Sequence, residues 1–91
     1  MIYYITTTQR VRQDDGSQLC INVDLPYETV EDVSQALARG NIVGMRVYSR
    51  KVEGRDRLRK ITGRSQMMLS TAGIAMIQLP SVDFEEAADA T

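Results

Sequence analysis

The sequence contains no histidine, which removes the side chain most often used as a general base near neutral pH and most zinc and non-haem iron sites. It contains a single cysteine, Cys20, so no intramolecular disulfide can form and a thiol nucleophile would lack its usual imidazole partner. A reducing, cytoplasmic setting is the expectation, with Cys20 a small half-buried residue of a strand. Long hydrophobic runs are missing as well. The longest apolar stretch, Met67 to Ile77, has eleven residues broken by Ser70, Thr71 and Gly73, against the roughly 20 that a membrane-spanning helix requires. The opening Met1-Ile2-Tyr3-Tyr4-Ile5 has neither the basic region nor the apolar run of a signal peptide, and no membrane association is expected.

Motifs for small-molecule chemistry are equally scarce. The six glycines form neither a phosphate-binding loop nor a dinucleotide fingerprint. Asp14 and Asp15 precede Gly16 in the pattern of a solvated turn, and their spacing is not that of a calcium-binding loop. Lys51 and Lys60 are the only lysines, and neither has a recognised spacing to a serine. This inventory offers no catalytic set, no metal site and no cofactor site, and it points away from an enzyme.

What the chain does have is enough apolar residue to fold. With 43% hydrophobic and 25% charged residues, 91 residues can build one core but not two. Ile2 to Thr8 and Gln18 to Asp24 alternate in the manner of strands, the second with Leu19, Ile21 and Val23 on the face opposite Cys20, Asn22 and Asp24. Thr29 and Asp32 resemble a weak capping box, Val30, Val33, Ala36 and Leu37 share a helical face, and Gly40-Asn41 supplies an exit. A helix over 30–39 follows. Strand pattern returns from Ile42 to Val52, turns at Glu53-Gly54-Arg55-Asp56, and resumes from Arg57 to Thr62. Gly63-Arg64-Ser65 reads as a break, followed by a short helical turn from Ser65 to Thr71 and a last strand from Ile74 to Leu79. One longer helix over 65–78 is the alternative, disfavoured by about 1 kcal/mol for Gly73 in its middle.

The expectation is therefore one α+β domain over residues 1–81, an antiparallel sheet of about five strands in the order β-β-α-β-β-short α-β with one main helix on one face. Residues 82–91, with Asp83, Glu85, Glu86, Asp89 and the only phenylalanine, Phe84, read as a flexible acidic tail. The alternative for this segment is to fold over the basic stretch or to pair with a second subunit.

Charge is distributed unevenly. Residues 42–65 carry Arg46, Arg50, Lys51, Arg55, Arg57, Arg59, Lys60 and Arg64 against Glu53 and Asp56, a local +6 within a chain of net −1. A partner meets that local field rather than the total. Alternation puts Arg46, Tyr48 and Arg50 on one face of the first strand and Val43, Met45 and Val47 on the other. Guanidinium forks bond phosphate or carboxylate oxygens in pairs, and a tyrosine between them offers a stacking surface. Arg57 and Arg59 share a face by parity, but the register that relates them to Arg46 is open. Two function classes result: a module whose basic hairpin contacts nucleic-acid phosphates, or a small inhibitor or adaptor that docks on an acidic protein surface. The basic side chains also suit a plain solubilising role on exposed strands, and an edge strand could pair in a homodimer.

Overall fold

The computed structural model describes residues 1–11 and 17–86. The turn expected at Asp14-Asp15-Gly16, and Asp89, lie outside the described residues. The described chain folds as strands β1 (Ile2–Arg10) and β2 (Gln18–Asp24), helix α1 (Val30–Arg39), strands β3 (Ile42–Val52) and β4 (Arg55–Leu69), a 3₁₀ turn at Thr71–Gly73, then β5 (Ile74–Gln78) and β6 (Asp83–Glu86).

All six strands join one sheet in the order β5-β1-β2-β3-β4-β6. Every neighbouring pair is antiparallel except β4 with β6, which is parallel. The fold is thus α+β with one helix, as the sequence indicates, but the sheet is six-stranded and mixed rather than five-stranded and antiparallel. The sixth strand comes from Asp83–Glu86, whose backbone joins the outer edge of β4.

The other difference lies at residues 63–71. Gly63, Arg64 and Ser65 do not interrupt β4. The strand absorbs one extra residue at a bulge opposite Tyr48 and Ser49 and then runs on to Leu69, pairing Gln66 with Met45 and Leu69 with Ile42. A neighbouring strand offers these residues a full ladder of hydrogen bonds, so neither the expected helical turn at Ser65 nor a helix over 65–78 forms. Only Thr71–Gly73 keeps a helical trace, as one 3₁₀ turn.

Helix α1 begins where its cap dictates. Thr29 is extended, and its hydroxyl accepts from the Asp32 amide at 3.1 Å, while at the other end the Gly40 amide donates to the Leu37 carbonyl. Val33 and Leu37 face the sheet and bury against Tyr3, Ile5, Ile21, Val23, Leu25, Ile42 and Leu69. The hydroxyl of the fully buried Tyr3 donates to the Tyr27 carbonyl at 2.7 Å, which satisfies its polar end.

The links show that the sheet is coiled. Four residues join β4 to β5 across four inter-strand steps, and four more join β5 to β6 across five steps. In a flat sheet these steps would span about 19 and 24 Å, whereas each link reaches about 17 Å at full extension. The sheet therefore curls around the helix-bearing face, and the ends of β1 (Thr7 to Gln9) and β4 (Met67 to Leu69) line the same groove. The opposite, outer face exposes Val43, Met45, Met68 and Met76. Cys20 is also on this face, as its register with Thr6 requires, but it is exposed rather than half-buried.

Close approach on the inner face depends on Gly44. A Cβ there would run into the Leu25 side chain, and would sit 2.8 Å from Val23 Cγ1 and 3.0 Å from the Asp24 carbonyl oxygen. The last contact is with backbone and cannot relax by rotamer change. Gly44→Ala should therefore lower stability by about 1 to 3 kcal/mol, read as a reduced urea midpoint at unchanged slope. An unchanged midpoint would show that the β2–β3 contact can loosen freely.

Candidate binding ribbon

Strand β2 pairs with β3 only from Asn22–Asp24 to Met45–Val47. Beyond Val47, β3 has β4 as its one neighbouring strand among the described residues, and the two continue as a ribbon that closes at Glu53-Gly54, where Gly54 takes φ 76°. From Tyr48 to this turn the ribbon extends about 20 Å at ordinary strand rise. Near the turn, β4 carries three residues, Asp56 to Leu58, between the partners of Lys51 and Val52, so this part of the strand is irregular.

Register decides which face each cation occupies, because directly opposed residues share a face. Val23 is in the core and lies opposite Arg46, so Arg46, Tyr48 and Arg50 are on the helix-bearing face, past the end of the helix-covered region. Lys60, opposite Arg50, joins them. Lys51 and Arg59 oppose each other on the outer face, and Arg64, opposite Val47, is there too. Arg55 and Arg57 are exposed at the irregular tip. The nine candidate residues are thus brought into one ribbon but not onto one face: Arg46, Tyr48, Arg50 and Lys60 form one group and Lys51, Arg59 and Arg64 the other.

Their local partners differ. The Arg46 guanidinium lies over the Tyr48 ring, 4.9 Å from its centroid, and Tyr48 remains 43% exposed with its hydroxyl 3.2 Å from Ser65 Oγ. This stack holds a planar cation and an aromatic face together at the surface. Arg59 is turned inward: its Nε donates to Ser49 Oγ at 2.7 Å and its Nη2 to the Ser49 carbonyl at 2.9 Å. Arg64 forms a two-pronged ion pair with Glu86 of β6. Arg50, Lys51, Arg55, Arg57 and Lys60 make no side-chain hydrogen bond or ion pair with the described residues.

The structure adds β6 to the residues that sequence reasoning assembled. Glu85 lies opposite Lys60 on the helix-bearing face, and Phe84 and Glu86 lie opposite Arg59 and Ile61 on the outer face. Val47 and Ile61, the two buried hydrophobics outside the main core, share that outer face with the half-buried Phe84. The clue in the sequence was Phe84 itself, an apolar residue set among carboxylates.

No other region of the described chain gathers groups for chemistry. The groove between α1 and β5, about 410 Å³, is lined by Val30, Leu37, Ile74 and Ile77 among others and by no ionisable side chain. Among the described residues no cluster of acidic, histidine or cysteine side chains could hold a metal ion, and no helix is long and apolar enough to cross a membrane.

Hydrogen bonds from Arg64 hold the Glu86 carboxyl below the usual glutamate range, opposed by desolvation, aided by the Arg64 charge and opposed least by that of Asp24. A lowered carboxylate pKa contributes stability above the unfolded value that is lost as pH falls through the folded one. Carboxyl-carbon NMR should give Glu86 a titration midpoint below that of a model peptide, and Arg64→Gln should raise it towards the ordinary value. An ordinary midpoint in the unaltered chain would show that the ion pair does not persist in solution. No protein-family profile matches the chain, and no curated protein or solved structure shows significant similarity to it.

Proposed function

We propose that the protein is a small non-enzymatic binding module whose β3–β4 ribbon contacts nucleic-acid phosphates. The observation that carries this reading is a two-stranded ribbon with cations on both faces and at its tip, of which Arg50, Lys51, Arg55, Arg57 and Lys60 have no partner among the described residues. A cationic surface on one side alone suits a flat anionic partner. Cations on both sides suit a groove, where a phosphate backbone runs along each wall, and a two-stranded ribbon fits the duplex major groove, about 12 Å wide. The Arg46–Tyr48 stack adds a planar surface for a base or sugar at the ribbon's root.

The contacts expected are to phosphates, so binding should be strong in charge dependence and weak in sequence preference. With about four or five phosphates neutralised, log affinity for a labelled random-sequence duplex should fall with log salt at a slope near −4. Arg46→Gln with Arg50→Gln should flatten that slope by about two. Absence of binding at low salt would overturn the reading.

A second reading, a small inhibitor or adaptor that docks on an acidic protein surface, is favoured by one observation: an acidic polypeptide segment, β6, already lies along β4. Retention of poly-glutamate together with failure to bind duplex would move the assignment to this class.

A further inference from the structure

We propose that β6 is a built-in competitor of the ribbon's ligand, a strand that screens Lys60 and Arg64 until a polyanion displaces it; this rests on the phosphate-binding reading above.

Three observations carry the proposal. First, β6 sets one carboxylate on each side of the ribbon. Glu85 is beside Lys60 on the helix-bearing face, and Glu86 holds Arg64 on the outer face. With Asp83, the strand lowers the local charge of the ribbon from +6 to +3, so the segment cancels half of the field that a polyanion would meet. Second, the carboxylates reproduce a phosphate's geometry. The Arg64 fork bonds both Glu86 oxygens, the same two-pronged arrangement a guanidinium makes with a phosphate diester.

Third, β6 is attached in a way that allows release. Among the described residues it is four residues long, pairs on one side, and forms the one parallel ladder of the sheet. Its ion pair is exposed, with Glu86 at 68% of full side-chain accessibility, and exposed pairs are weak and screened by salt. Phe84, half-buried on the face of Val47 and Ile61, is the main apolar anchor. None of the nine residues of the main core lies in β6, so its departure leaves that core intact.

The screening also accounts for the asymmetry between the cations. Arg50, Lys51, Arg55 and Arg57 stand ready towards the tip of the ribbon and can make first contact, whereas Lys60, opposite Arg50, is screened by the neighbouring Glu85 and Arg64, nearer the root, is ion-paired to Glu86. A ligand that advances from tip to root removes the screening carboxylate beside Lys60 and exchanges carboxylate for phosphate at Arg64. Binding and strand release are then coupled, each favouring the other to the same degree.

The test compares two full-length variants of equal charge change. Glu85→Gln with Glu86→Gln relaxes the screen, and Glu28→Gln with Glu31→Gln removes two carboxylates near the start of α1. Both gain affinity for a random-sequence duplex through net charge, but the β6 variant should exceed the α1 control by about tenfold and steepen its salt slope by about two, for two further phosphate contacts. In the unaltered protein, duplex should also raise amide exchange at Phe84 to Glu86. Binding only by the β6 variant would likewise support the proposal. Equal gains in the two variants, or duplex binding that leaves β6 protected, would overturn it while leaving the phosphate-binding reading in place. Failure of every form to bind would overturn both.

Discussion

Two four-residue links govern this fold. The chain must return from the end of β4 to the far side of β1, and then from β5 to the outer edge of β4, with less reach than a flat sheet demands. Coiling of the sheet is the solution, and the remaining architecture follows from it. A curled inner face can be closed by a single ten-residue helix, so Val33 and Leu37 suffice to seal a core drawn from β1 to β4. The same curvature brings β2 and β3 together tightly at Gly44, where no side chain fits. It also leaves the distal part of the β3–β4 hairpin outside the helix-covered region, free of β2, and available at the surface.

Much of the fold was legible because local pattern and tertiary environment agree. In β2, alternation of Leu19, Ile21 and Val23 with polar partners records a sheet with one covered face, and Thr29 marks the helix start through a hydrogen bond that depends on nearby residues alone. The stretch from Gly63 to Leu69 was misleading for the opposite reason. Gly63 and Ser65 are turn formers by intrinsic preference, but the complementary strand Ile42 to Val47 supplies a ladder that outweighs it, and a bulge accommodates the odd residue. β6 was invisible to periodicity because four acidic-rich residues have no pattern of their own; their strand character comes from the β4 edge.

The basic ribbon was legible to the same depth. Alternation along β3 correctly grouped Arg46, Tyr48 and Arg50. It could not say that Arg59 and Arg64 lie across the sheet from them, since that depends on a bulge and on an irregular tip whose registers are set by pairing rather than by composition. Nor could a count of charges reveal that Arg59 is occupied by Ser49 and Arg64 by Glu86. The six arginines of residues 42–65 thus become, in three dimensions, a set of groups in different states of engagement: stacked, internally bonded, ion-paired or open.

The pairing of β1 with β5 has a consequence for how this chain acquires its structure. Tyr4 lies against Gln78 and Ile5 against Ile77, so one edge of the sheet waits for residues made more than 70 positions later. Long-range pairing of this kind places a loop-closure cost ahead of its reward, the reason small domains dominated by non-local strands fold more slowly than helical ones. During synthesis, β1 and β2 can form their hairpin early, but the outer edge of β1 stays open until β5 emerges.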